Sequence, residues 1–199
     1  LMSYDFYGAW DNTVLNHQTG LHKSSMNPAN AEYYTSRGVE ILLEQGVPAE
    51  KLVIGAAAYG RGWTGVHNYE EGNPFTGKAT GPIEGTWENG VLDYRDIVDN
   101  HGSAQGFEYG FDVHAQAPYL FKASTGDLIT YDDQNSVKAK ARYAKLQGMG
   151  GIFHWEMDAD NGDLVNAMHE GLGHGSNGAE SSNQAPNARA GADKNVFGP

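Results

Sequence analysis

The sequence predicts an α/β fold built on parallel strands, either a barrel or a doubly wound sheet, carrying a small α+β insertion. Three observations lead there. First, three apolar runs, residues 1–9, 51–59 ("KLVIGAAAY") and 150–157 ("GGIFHWEM"), lack strict polar alternation, as strands covered on both faces do. Second, segments with helical spacing and capping residues separate or follow these runs. Third, residues 64–131 break the strand–helix rhythm with turn-rich sequence and short strand signals.

The first run, "MSYDFYGAW", holds four aromatics, one carboxylate and no lysine or arginine. A core strand would use Val and Ile, so this one reads as the wall of a site. Period-two alternation puts Met2, Tyr4 and Phe6 on one face and Asp5 on the other. Tyr4 and Asp5 can serve one site only if the strand twists or ends near Asp5, and Gly8 allows such an ending. The following helix is expected to take Asn27 as its cap and Pro28 in its first turn. Val39, Leu42 and Leu43 keep its spacing, and Gly46 stops it. The second strand then delivers Tyr59, Arg61 and Trp63 at its end.

Within the insertion, "NPFTGKATGPIEGTWENG" is turn-rich, residues 91–100 read as a short helix, and residues 116–122 and 127–131 flank Ser124-Thr125-Gly126 as a hairpin. A structureless loop of that length is disfavoured in a compact domain. A helix over residues 136–147, capped by Ser136 and stopped by Gly148, leads to the third strand with Trp155 and Glu156 at its end. Asp163 is expected to cap a last helix bearing Leu164, Val165, Met168 and Leu172. Beyond residue 173 the composition turns to Gly, Ser, Asn and Ala, a flexible linker. Its final stretch, "APNARAGADKNVFGP", resembles the opening strand of a PKD (immunoglobulin-like) module.

Composition narrows the partner. Hydrophobic residues make up 39% and charged residues 19% of the 199, a globular balance. A formal charge of −12 argues against nucleic acid or an anionic membrane surface and fits a neutral polymer or small molecule. The chain has no cysteine, so disulfides and thiolate metal sites are excluded. It also has no run of about 18 apolar residues that could span a membrane.

Familiar motifs fail on spacing. "GAAAYGRG" spaces its glycines as a phosphate-binding loop does, but Arg61 and Gly62 stand where Lys and Ser or Thr are needed, and no helix follows. "DADNGD" departs from a calcium loop: its glycine is fifth rather than sixth, and His169 replaces the terminal Glu. The histidines show no zinc-site pairing, and there is no Gly-x-Ser-x-Gly elbow. What remains is an aromatic and polar set at the C-terminal ends of the three strands, where parallel α/β sheets bind ligands. Rings of Trp and Tyr stack on the C–H faces of sugars, while carboxylates and guanidinium groups bind hydroxyls.

"MSYDFYGAW", "AAAYGRGW", "FTGKATGPIEGTWENGVLDYR", "KASTGDLITYDD" and "FHWEMDADNGD" occur in an order and spacing that resembles the catalytic domain of bacterial chitinase A-type enzymes, glycoside hydrolase family 18. The resemblance covers residues 1–174. It implies strands six to eight of a (β/α)8 TIM barrel, with residues 1–63 holding strands six and seven and the intervening helix. Residues 64–131 would be the chitinase insertion domain, residues 132–174 the last helix, strand and helix, and residues 175–199 the linker. It further implies hydrolysis of β-1,4-linked N-acetylglucosamine by substrate-assisted retaining catalysis, an exception to the two-carboxylate scheme. Carried over position by position, Tyr4 and Asp5 would serve catalysis. Met2, Trp10, Tyr59, Arg61, Trp87, Glu88 and Trp155 would bind the sugar chain, with Trp155 as the floor of the −1 pocket. No metal or cofactor is implied. The partner would be chitin or its oligosaccharides, and the enzyme a secreted monomer. The family's Asp-x-x-Asp-x-Asp-x-Glu signature, which carries the proton donor, is absent from this sequence. Neither Glu88 nor Glu156 has its aspartate pattern, so the acid is expected upstream. The alternatives are a catalytically inactive chitin-binding relative of the same fold and, more distantly, an independent carbohydrate-binding module.

Overall fold

The computed structural model describes residues 1–175, so the expected linker and PKD-like segment, from residue 176 on, lie outside the described residues. In chain order the principal elements are α1 (Thr35–Glu44), β1 (Val53–Ala57), β2 (Tyr59–Thr64), β3 (Gly81–Pro82), β4 (Val91–Asp93) and α2 (Tyr94–Asn100). They continue with β5 (Glu108–Asp112), β6 (Ala117–Lys122), β7 (Asp127–Thr130), α3 (Gln134–Leu146), β8 (Gly151–Trp155) and α4 (Asp163–Gly171).

Two sheets organise the molecule. In the first, β1 and β8 pair in parallel from Val53↔Gly151 to Ala57↔Trp155. The chain's first residues run along the other side of β1: the Leu1 amino group donates to the Val53 carbonyl at 2.7 Å and the Gly55 N–H to the Leu1 carbonyl at 2.9 Å. Ser3 Oγ adds a 2.9 Å bond to the Gly55 carbonyl. This stretch makes parallel-type rungs but is not a regular strand, and the expected strand over residues 1–9 is corrected to a short extended lead that breaks at Asp5, whose φ is +60°. The second sheet is antiparallel, in the order β3-β2-β7-β6-β5, with β4 also on β2. The expected second strand therefore divides: residues up to Ala57 stay beside β8, while Tyr59, Arg61 and Trp63 belong to the antiparallel sheet. The hairpin of β6 and β7 forms where the Ser124-Thr125-Gly126 signal placed it.

Four helix expectations change in detail. The short helix expected over residues 91–100 starts only at Tyr94, because Val91–Asp93 pairs with β2 as β4. Pro28–Asn30 is only a single 3-10 turn, and α1 begins at Thr35. Asn27 caps nothing there, because its side-chain amide donates to the carbonyls of Leu15 and Phe75. The Tyr7 hydroxyl binds the Asn30 carbonyl and the N–H groups of Glu32 and Tyr33, holding that stretch open. Asp133, not Ser136, caps α3: its carboxylate accepts from the Ser136 N–H at 2.8 Å, and Ser136 Oγ accepts from the Asp133 N–H at 2.9 Å. At α4, Asp163 is the first helical residue, and the Asp160 carboxylate takes the N–H groups of Leu164 and Val165.

Apolar burial falls into three clusters. One joins Ile97 of α2, Leu120 and Ile129 of the antiparallel sheet and Leu164 of α4. A second gathers Trp63, Phe75, Leu15 and Leu128 on the opposite face of that sheet. The third joins Val39, Leu52, Ile54 and Ala144 between helices and β1.

Two buried polar knots tie these parts together. Lys140 Nζ lies 2.6 Å from Asp132 Oδ2, with neither side chain exposed. Lys140 also donates to Thr19 Oγ1, the Ala57 N–H donates to Asp132 Oδ2, and Ser136 Oγ donates to Asp132 Oδ1. Burial pulls the Lys140 pKa below its ordinary value, against the pull of the Asp132 charge and hydrogen bond. The second knot centres on Asp112, which receives Ser24 Oγ, Ser25 N–H and Oγ, and the N–H groups of His114 and Ala115. His17 Nε2 stands 3.5 Å away. Burial opposes the Asp112 charge, but His17 and this ring of donors outweigh it and hold the carboxyl far below the usual range.

Lys140→Met leaves the buried Asp132 carboxylate without its cation. It is expected to cost about 3–5 kcal/mol in chemical denaturation, and adding Asp132→Asn should return part of that loss. Because the Asp112 pKa is depressed on folding, its contribution is complete above the unfolded value near 3.9 and is lost as pH falls below it. Asp112→Asn should therefore destabilise by about 1–3 kcal/mol at pH 7. The gap from the parent should narrow in melts run below about pH 4.

Candidate active site

Asp5 is the pivot. Its φ of +60° is a left-handed conformation that aspartate tolerates better than most residues. The turn removes the alternation problem, since a break at Asp5 lets its carboxylate leave the strand pattern set by Met2 and Tyr4. Oδ1 of Asp5 accepts from the Tyr59 hydroxyl at 2.7 Å and from Arg61 Nε at 2.8 Å. Among the described residues, Oδ2 has no hydrogen-bond partner.

Both donors come from β2, where Tyr59 and Arg61 share a face. The Arg61 guanidinium sits 5.2 Å from the Trp10 ring centre and 5.5 Å from that of Tyr59, a cation between two π faces. Burial works against the Arg61 charge, but the hydrogen bond and charge of Asp5 prevail and raise its pKa. Burial and then the Asp5 hydrogen bond push the Tyr59 phenol far above its ordinary value, so it stays a proton-bearing donor. Trp10 reaches this position because Gly8 has no side chain: a Cβ there would lie 2.2 Å from the indole ring. Tyr4 contacts Tyr59 edge-on at 6.0 Å and Phe153 at 6.3 Å, over the space that Gly55 leaves open. Burial, then the Asp5 charge, raises the Tyr4 pKa.

These groups border a cavity of about 480 Å³ lined by Asp5, Tyr59, Arg61, Trp87, Glu88, Val91, Asp93, Trp155, Glu156 and Ala159. Six of the residues expected from sequence are thus brought together: Asp5, Tyr59, Arg61, Trp87, Glu88 and Trp155. Trp155 closes β8 with its side chain more than half exposed, and Trp87 projects from the rim with its Nε1 on Asp93 Oδ2 at 3.1 Å. Three expected residues stand beside the cavity rather than in its wall. Tyr4 packs behind Tyr59, Met2 is largely exposed, and Trp10 lines an adjoining hollow of about 260 Å³ with Tyr7, Glu32 and Tyr33. Among the described residues no group of three or more His, Asp or Glu side chains is placed to hold a metal ion.

Sequence reasoning missed Gln18 and Asp93. Gln18 is wholly buried and accepts from the Asp5 N–H, and nothing in its surroundings, "NHQTG", marks it as a site residue. Asp93 had a visible cue, since it closes the "TWENGVLD" run that also supplies Trp87 and Glu88.

A cleft that gathers carboxylates, an arginine and exposed indoles around a parallel strand end fits a carbohydrate-active site, and residues 1–160 match the model of glycosyl hydrolases family 18. The chain belongs to glycoside hydrolase family 18. Within this family it is 53% identical over 170 residues to a probable endochitinase of Orgyia pseudotsugata multicapsid polyhedrosis virus, covering 85% of this chain and 30% of the relative. It is 42% identical to chitinase A of Pseudoalteromonas piscicida, covering 93% of this chain and 26% of that one. Among solved family 18 structures, chitinase ChiA74 from Bacillus thuringiensis superposes with a TM-score of 0.77 at 31% identity, covering 88% of this chain and 31% of that one. A Cycas revoluta chitinase in complex with (GlcNAc)3 superposes with a TM-score of 0.71 at 30% identity, covering 86% and 46%. The chain thus spans about a quarter to a half of the length of these relatives. Its parallel ladder is part of the (β/α)8 barrel of family 18, with the antiparallel sheet as an α+β addition.

Proposed function

We propose that this chain supplies one wall of the substrate cleft of a secreted, monomeric chitinase that cleaves β-1,4-N-acetylglucosamine linkages. The observation that carries this reading is the Asp5 carboxylate, committed through Oδ1 to Tyr59 and Arg61 at the edge of a hollow walled by Trp87 and Trp155. Neutral, hydroxyl-rich sugar suits such a hollow: indole faces cover its C–H surfaces, and carboxylates and guanidinium meet its hydroxyls. The Cycas relative, bound to N-acetylglucosamine oligomers, supports the same substrate class. We assign residues 64–131 as the insertion domain, which contributes Trp87 and Glu88, and residues 1–63 and 132–174 as barrel.

In this reading a glutamic acid outside the present sequence protonates the glycosidic oxygen. The acetamido carbonyl of the −1 sugar attacks its own anomeric carbon, the C–O bond to the leaving sugar breaks, and an oxazolinium ion forms. Water then opens that ring with retained configuration. Tyr4 holds the acetamido group in attack geometry, a positioning effect. Asp5 offers its free oxygen to the sugar near the cleavage point, while Arg61 and Tyr59 hold the other. Trp155 is the floor of the −1 pocket, and Met2 lines its side. Tyr59, Arg61, Trp87 and Glu88 hold the chain of sugars, with Trp10 as a platform on the leaving-group side.

The isolated 199-residue chain is expected to show no turnover of a chromogenic chitobiose substrate. Activity abolished by Glu88→Gln or Glu156→Gln would overturn the assignment of the acid to another part of the protein. In the complete catalytic domain, Trp155→Ala should weaken chitooligosaccharide binding by about 1–3 kcal/mol in calorimetry, as expected for loss of a large apolar contact. Unchanged affinity would make Trp155 packing rather than floor. A complete domain that binds these oligosaccharides but never cleaves them would be the inactive relative.

A further inference from the structure

Asp5 does not hold its left-handed turn by its own side chain, which is engaged by Tyr59 and Arg61. The restraint comes from one residue thirteen positions on. Gln18 Oε1 accepts the Asp5 N–H at 3.0 Å, and the Gln18 main-chain carbonyl accepts the Phe6 N–H at 3.0 Å. The peptide groups on both sides of Asp5 are therefore fixed to a single residue. The remaining arm of the same side chain reaches the other donor strand: Gln18 Nε2 donates to the Tyr59 carbonyl at 2.8 Å. Its own N–H is satisfied by Thr130 Oγ1 at 3.3 Å, on β7, the neighbour of Arg61 in the sheet. The side chain is wholly buried, so these bonds do not compete with water.

Only an amide of this length fits the task. It must accept at one end, from Asp5, and donate at the other, to Tyr59. A carboxylate at position 18 would set an oxygen against the Tyr59 carbonyl, and a thioether would leave the Asp5 N–H and the Tyr59 carbonyl without partners. We propose that Gln18 is a positioning residue of the active site, which fixes the Asp5 backbone turn against Tyr59 and so aims the Asp5 carboxylate at Arg61 and at substrate. The catalytic part of this role rests on the chitinase reading given above; the structural part does not.

Two measurements on the complete catalytic domain test it. In the first, the crystal structure of Gln18→Met is expected to show Asp5 released from positive φ and its carboxylate off Arg61 Nε, with β2 and β7 unchanged. If Asp5 keeps its turn and its Arg61 contact, the inference is overturned, whether or not the protein is a chitinase. In the second, Gln18→Met should lower kcat/KM on chitooligosaccharides by about 10–100-fold, as for loss of buried hydrogen bonds. In an Asp5→Ala background the same change should cost almost nothing, because the group it aims is gone. A purely structural role would instead give equal losses in both backgrounds, and that additivity would overturn the assignment. If Gln18→Met does not fold, Gln18→Glu takes its place. It keeps the acceptor for Asp5 but loses the donor to Tyr59, and it is expected to show the same non-additivity with a smaller loss, while additive losses again count against the proposal. Inactivity of the parent domain itself would sink the chitinase reading, and the crystallographic comparison alone would then decide whether Gln18 holds the Asp5 turn.

Discussion

The contact between Lys140 and Asp132 is the constraint on which the arrangement depends. Taking both charges fully out of water is costly, and only close geometry with every remaining lone pair engaged offsets that cost. The partners that complete it come from three separate places. Thr19 lies on the connection after the first segment and passes its own hydroxyl to the Ser3 carbonyl, Ala57 ends β1, and Ser136 opens α3. A hydrophobic patch would tolerate sliding between these parts. A buried charge pair with directed donors does not, and it fixes the end of β1 and the lead around Ser3 relative to α3.

That fixation sets up the cleft. Ser3 is two residues before Asp5, and Ala57 two before Tyr59, so the knot anchors the chain just upstream of both members of the Asp5–Tyr59 hydrogen bond. Past the anchor the two segments diverge. The first turns left-handed at Asp5; the second leaves the parallel ladder and enters the antiparallel sheet. The carboxylate comes from the lead beside the parallel ladder and its donors from the antiparallel sheet, and they meet because the branch point is held.

Much of this was legible in the sequence because the signals were local. The apolar runs over residues 51–59 and 150–157, the Ser124-Thr125-Gly126 hairpin and the stop at Gly46 each rest on propensities within a few residues; the structure keeps the hairpin and the stop, and keeps the two runs paired in parallel as far as Ala57 and Trp155. The cavity residues Asp5, Tyr59, Arg61 and Trp155 were legible for a different reason: aromatic and charged side chains at strand ends are costly unless used, whereas Trp87 and Glu88 followed only from the family resemblance. The failures share a cause too. Asn27 has the side chain of a cap, but tertiary carbonyls of Leu15 and Phe75 draw it away from the helix. Ser136 and Asp133 are both good caps, and only the reciprocal bonds in space show which one leads. Gln18 left no trace at all, since its importance lies in groups 13 and 41 residues away.

The departure of β2 from the parallel ladder has a consequence for how this fold can be trimmed or recombined. An accessory lobe joined by two linkers could be cut away and the remaining framework resealed. Here the lobe has taken possession of the stretch that bears the cleft's arginine, bonding it to β7 on one side and β4 on the other. Excising the lobe would leave that arginine on an orphaned ribbon, so the antiparallel sheet and this wall of the cleft stand or fall as one piece.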